Sequence, residues 1–136
     1  MRLILLAAAL ATFTVLPASA AETLKWRIER VWDPAQSATR AISPEAAAQT
    51  SGGITVFGKL TVETGCNTVF ARGWLTGKKI KFGQPWTTKK ACEGEARAIE
   101  AGLVEALTLA RVYEDPRRRI ILRDANGNEV LALVKR

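Results

Sequence analysis

Apolar and polar residues alternate over residues 24–32, with Leu24, Trp26 and Ile28 on one side and Lys25, Arg27 and Glu29 on the other. A period of two marks a strand with one face buried. Residues 33–53 lose that pattern and carry Pro34, Pro44, Gly52 and Gly53, so a loop is expected there. Within it, Ser43-Pro44-Glu45 ahead of Ala46, Ala47 and Ala48 suits the start of a short helical turn. Strands are predicted over 54–57, 59–63, 68–75 and 79–82, punctuated by Gly58, Thr64-Gly65 and Thr76-Gly77. In the last of these, Ile80 and Phe82 share one face, and Lys79 and Lys81 share the other.

From 95 to 111 the period changes. Ala96, Ile99, Leu103, Leu107 and Ala110 recur at steps of three and four, while Arg97, Glu100 and Glu105 lie largely off that stripe. This spacing predicts an amphipathic helix. Gly102 interrupts it at a cost of about 1 kcal/mol relative to Ala, which points to close packing against a sheet. Residues 119–123 and 129–134 then flank Asp124-Ala125-Asn126-Gly127-Asn128, and Asn-Gly supplies hairpin turn chemistry. The run 130–134 is apolar on both faces, which places it inside a sheet. Strands, one long helix in the C-terminal half and a closing β-hairpin predict an α+β fold with a mostly antiparallel sheet.

Residues 1–20 stand apart. Met1-Arg2 is a short positive start, residues 3–16 are uncharged and rich in Leu and Ala, and Pro17 precedes Ala18-Ser19-Ala20. That succession is the pattern of a cleaved secretory signal, with Ala21 as the new N-terminus. The apolar run is too short for a spanning helix, which needs about 20 residues. Residues 21–136 then form a single domain, with no transmembrane helix left after cleavage, in the periplasm or secreted. No cysteine follows the cleavage region, so a lipoprotein is not expected. Without the signal the charge is 19 Lys and Arg (20 less Arg2) against 13 Asp and Glu. A basic exported domain suits anionic envelope surfaces, although moderate charge also serves solubility alone. An even pair of cysteines, Cys66 and Cys92, beside turns in an oxidising compartment predicts a disulfide. Two buried thiols are the alternative.

Four segments in order carry a family resemblance. They are Gly65-Cys66-Asn67, then Thr88-Lys89-Lys90-Ala91-Cys92, then Glu100, Leu103 and Leu107 with Tyr113 beyond, and finally Leu122, Asp124 and Gly127. The stretch resembles the META/HslJ-like domain of bacterial envelope and heat-inducible proteins, best over residues 54–134. Two positions depart from its pattern: Ala71 stands where a Gly is frequent, and Lys90 where an apolar residue is usual. The resemblance implies one α+β domain outside the cytoplasm and a part in envelope stress tolerance. It implies no catalytic residues. Gly65, Cys66, Asn67, Thr88, Ala91, Cys92 and Glu100 therefore read as a structural set: Gly65 for a tight turn, Asn67 bonding local backbone, and the cysteines stapling that turn to the helix start.

Catalytic chemistry finds little footing. The chain has no histidine, so a Ser–His or Cys–His pair is impossible. Two cysteines without histidine make a poor metal site. The scattered glycines form no phosphate loop, so no cofactor is expected. Glu93, Glu95, Glu100 and Glu105 have ordinary roles at a helix start or on a helix surface. The basic residues Lys79, Lys81, Arg117, Arg118 and Arg119 are candidates for an anion-binding patch if folding unites them. Trp74 and Trp86 fit either the rim of such a patch or, as aromatics more often do, the core. The expected function is that of a non-catalytic envelope protein binding an anionic surface or a protein partner, with no nucleic acid. The alternatives are an exported inhibitor of a secreted hydrolase, presenting a loop at Pro85-Trp86, and a cell-wall hydrolase, which would show a close carboxylate pair in a cleft.

Overall fold

The structure is a computed structural model and describes residues 25–55 and 58–136. Residues 1–20, expected as a signal, lie outside the described residues, as do Leu24, Val56 and Phe57. The chain runs through β1 (Trp26–Asp33), β2 (Ala38–Ala41), α1 (Pro44–Gln49), β3 (Ser51–Ile54), β4 (Lys59–Glu63), β5 (Thr68–Thr76), β6 (Lys79–Phe82), β7 (Trp86–Thr87), α2 (Gly94–Leu109), β8 (Val112–Glu114), β9 (Arg119–Arg123) and β10 (Glu129–Lys135).

The fold is α+β and its strand pairs are antiparallel, with α2 as the long helix and β9–β10 as the closing hairpin. The sheet closes on itself, which the hydrophobic pattern did not announce. Its order is β1-β10-β9-β8-β6-β5-β4-β3, returning to β1. Two joints are narrow: Trp26 opposite Gly52 between β1 and β3, and Lys79 opposite Val112 between β6 and β8. Closure of this kind leaves few free backbone edges. Outside the ring, β2 folds back on β1 and β7 adds to β5.

The region expected as loop holds more structure than its pattern displays. It contains β2, the predicted helical turn as α1, and the start of β3. Ser43 caps α1, its Oγ accepting from the Ala46 amide at 3.1 Å, with Pro44 in the first turn. A register shift between Ile28 and Arg30 changes the phase of β1, so that Ile28 and then Val31 point inward.

The core is continuous from the barrel wall to α2. Ile28, Leu60, Leu122, Leu131 and Leu133 meet Ile99, Leu103 and Leu107 there, all with at most 1% of their surface exposed. The helix contacts β1, β10, β5 and β6, which lie on opposite sides of the ring, so it crosses one end of the barrel. A Cβ on Gly102 would stand 2.1 Å from the Trp32 carbonyl oxygen, so the glycine is what lets helix and strand approach. The helix stops at Leu109, two residues before the predicted Arg111.

Antiparallel alternation puts the β5–β6 turn, the β8–β9 turn and the end of β10 at the opposite end. Backbone bonds join neighbouring segments there in pairs. The Tyr113 amide donates to the Lys78 carbonyl, the Lys135 amide to Arg118, and the Arg136 amide to Lys25.

Candidate functional site

The family-type residues converge where α2 begins. Gly65 turns the chain between β4 and β5 with φ +93°, a left-handed conformation that favours glycine. Cys66 is bonded to Cys92, with Cα atoms 6.0 Å apart. Next to it Asn67 is 5% exposed, and its side chain is fully engaged. Its Oδ1 accepts from Thr88 Oγ1 at 2.8 Å and from the Lys90 amide at 2.9 Å. Its Nδ2 donates to the Lys90 carbonyl at 2.9 Å, to Cys92 Sγ at 3.1 Å and to Glu100 Oε2 at 3.4 Å. Thr88 Oγ1 also accepts from the Thr68 amide at 3.0 Å. Ala91 is exposed in the extended run between Lys90 and Cys92. One carboxamide thus ties a hairpin turn, an extended segment and a helix together. With both of its polar atoms committed, Asn67 acts as a clamp.

Two carboxylates of α2, Glu95 and Glu100, are also occupied. Ser43 donates to both oxygens of Glu95, from its amide at 2.7 Å and its hydroxyl at 2.6 Å. Those two hydrogen bonds hold the Glu95 carboxyl below its ordinary pKa, helped by Arg40 and opposed by desolvation. Glu100 receives the Asn67 amide. Among the described residues no group of three or more His, Cys, Asp or Glu is placed to hold a metal ion. A cleft of about 480 Å³ beside the disulfide is bordered by Gln49, Glu63, Cys66 and Lys90, and the Glu63 carboxylate there accepts from Ser51 Oγ at 3.0 Å.

The basic residues fall into two groups. Lys79 and Lys81 project outward from β6, opposite Thr76 and Trp74 of β5. On the same outer wall Arg72 of β5 pairs with Lys59 of β4. Arg117 and Arg118 occupy the β8–β9 turn, and Arg119 opens β9, where its guanidinium donates to Glu29 of β1 at 2.9 Å. Strand β8 separates the groups, although both belong to the barrel end remote from α2. Sequence reasoning overlooked Arg72 and Lys59. Alternation along β5 carried the signal, since Phe70, Arg72 and Trp74 fall on the face opposite buried Val69 and Ala71. The core placement of two tryptophans is corrected: Trp74 is 60% and Trp86 61% exposed. Trp74 sits on a strand whose other face supplies the core, and Trp86 on the two-residue strand β7 added outside the ring. Pro85-Trp86 forms no projecting loop, because Trp86 pairs into β7 and stacks on Phe70 at 4.1 Å.

The domain is thus a small antiparallel barrel crossed by one helix, with a Gly-Cys-Asn turn stapled to the helix start. The META domain family matches residues 20–136, and the chain belongs to it. The fold is similar to the NMR structure of a protein from Burkholderia xenovorans, at a TM-score of 0.60 and 21% identity, covering 84% of this chain and 82% of that one. No curated protein matches the chain.

Proposed function

We propose that this META-domain protein is exported by cleavage after Ala20 and works without catalysis at the cell envelope, where it holds anionic material. A part in envelope stress tolerance follows from the family's setting. The observation that carries the reading is the gathering of cations at the barrel end remote from α2. Lys78 and Lys79 at the start of β6, and Arg117, Arg118 and Lys135 on the other side of β8, lie in turns and strand ends there, against Glu114 and Asp115; backbone bonds join Tyr113 to Lys78 and Lys135 to Arg118. Glu114 is moreover paired with Arg123 at 2.8 Å. Such a field attracts anions and weakens with salt, because exposed charges are screened within about 8 Å at physiological ionic strength.

The test is co-sedimentation of the processed chain with anionic vesicles at low and high salt, beside a charge-reversal variant at Lys79, Lys81, Arg118 and Arg119. Wild type pelleting at low salt only, with the variant left in solution, supports the reading. Equal pelleting of the two proteins, or pelleting of neither together with no binding to a soluble polyanion, removes it and favours a protein partner.

A further inference from the structure

Among the described residues, the two large apolar side chains left in solvent, Trp74 and Trp86, stand on one face of the barrel wall. The outward positions of β5 read Phe70, Arg72, Trp74. Trp86 joins that face because β7 pairs with β5 opposite Phe70, and its ring lies over the Phe70 ring with 19° between their planes. Phe70 and Trp74 are four residues apart on one strand, so the two aromatic groups are separated by about 13 Å. Cations surround them: Arg72 between, Lys59 opposite Arg72, Lys81 opposite Trp74, and Lys79 opposite Thr76. Among the described residues of β4, β5 and β6, the one carboxylate is Glu63, at the far end and bonded to Ser51.

Exposed aromatics within a rim of charge mark a surface that something covers. The arrangement selects among partners. The hollows beside the indoles are separate, one against α2 with Val104 and Arg97, the other against Thr55 and Lys59. A small ligand would fill one of them, whereas a planar partner touches both indoles at once. Tryptophan concentrates at the headgroup level of bilayers, and clustered Lys and Arg are drawn to anionic lipid. We propose that the outer face of β4, β5 and β6 docks peripherally on a bilayer carrying anionic phospholipid. Trp74 and Trp86 enter the headgroup region, and Lys59, Arg72, Lys79 and Lys81 meet the phosphates. This rests on the anionic-envelope reading above and adds lipid as the partner and two indoles as anchors.

The experiment mixes the disulfide-bonded chain with vesicles of phosphatidylethanolamine and phosphatidylglycerol, some brominated near the top of the acyl chain. Wild type is expected to show a blue-shifted, bromine-quenched tryptophan emission. The Trp74→Ser/Trp86→Ser variant keeps the half-buried Trp26 and the buried Trp32 as folding controls, loses the quenching and binds about tenfold more weakly or worse. Vesicle binding without quenching, abolished by Lys79→Glu/Lys81→Glu, overturns the aromatic docking and leaves the anionic reading standing. Binding to soluble polygalacturonate but not to vesicles overturns lipid as the partner. Binding to neither overturns both.

Discussion

The carboxamide of Asn67 donates to the Cys92 sulfur across 3.1 Å, beside the covalent bond from that same sulfur to Cys66. The turn after β4 and the start of α2 are therefore joined twice. The clamp belongs to the scaffold, and it borders the surface proposed to meet a partner, since Glu100 also lines the hollow beside Trp86.

Asn67→Ala would strand the Thr88 hydroxyl and the Lys90 amide and carbonyl in a half-buried setting. The expected loss is about 2–4 kcal/mol of stability, read from denaturant unfolding with the disulfide intact. Asn67→Asp is expected to fare poorly as well. It keeps an acceptor for Thr88 but removes the donor to Lys90, and it sets a second carboxylate near Glu100. Wild-type stability in both variants would show that the clamp contributes nothing.

Reduction of Cys66–Cys92, a separation of 26 residues, is expected to cost about 3–4 kcal/mol by the chain-entropy relation. The check is the shift in denaturation midpoint on adding reductant, repeated with a Cys66→Ala/Cys92→Ala variant. Helix content should survive reduction in water, because Ile99, Leu103 and Leu107 still anchor α2 in the core.

Gly102 separates helix propensity from packing. Propensity alone makes Gly102→Ala stabilising by about 1 kcal/mol. The Trp32 carbonyl, 2.1 Å from the added methyl, makes the opposite expectation, a loss of about 1–3 kcal/mol. Leu103→Ala leaves a cavity instead and should cost about 2–5 kcal/mol. Thermal unfolding of both variants decides the sign for Gly102.

Much of this architecture was legible in the chain. Strands β4, β5, β6, β9 and β10 and the helix α2 follow from period and turn chemistry, and the apolar run over 130–134 does sit between two neighbours, β9 and β1. Short elements were not legible. Val112–Glu114 and Trp86–Thr87 are too brief to display a period, and Ala38–Ala41 has no apolar alternation because β1 alone pairs with it. Ring closure rests on β1 meeting β10 across the whole chain, which no local pattern encodes. The Asn67 cluster was readable as a structural motif, but its partner Glu100 is 33 residues away and only the fold brings them together.

Acid should loosen two surface ties. Hydrogen bonds from Ser43 lower the Glu95 pKa from its ordinary 4.5. At Asp124 slight burial pushes upward, but hydrogen bonds from Asn128, Asn126 and Gly127 outweigh it and lower the value from 3.8. Each carboxyl is more acidic folded than unfolded. Its stabilising effect is complete above the ordinary value and is lost as pH falls through the lowered one. A carbon-detected carboxyl titration should place both below their ordinary values, and Ser43→Ala should return Glu95 upward. An unshifted Glu95 in wild type would contradict the Ser43 contact.

Fractionation of cells producing the full chain tests export and charge-driven envelope association together. The expected result is a disulfide-bonded protein of mass beginning at Ala21, found with the envelope at low ionic strength. It should shift toward the soluble fraction at about 1 M salt, where the screening length is about 3 Å. The charge-reversal variant should already be soluble at low salt. A chain retaining residues 1–20 in the cytosol, or envelope retention indifferent to both salt and charge reversal, would contradict the proposed function.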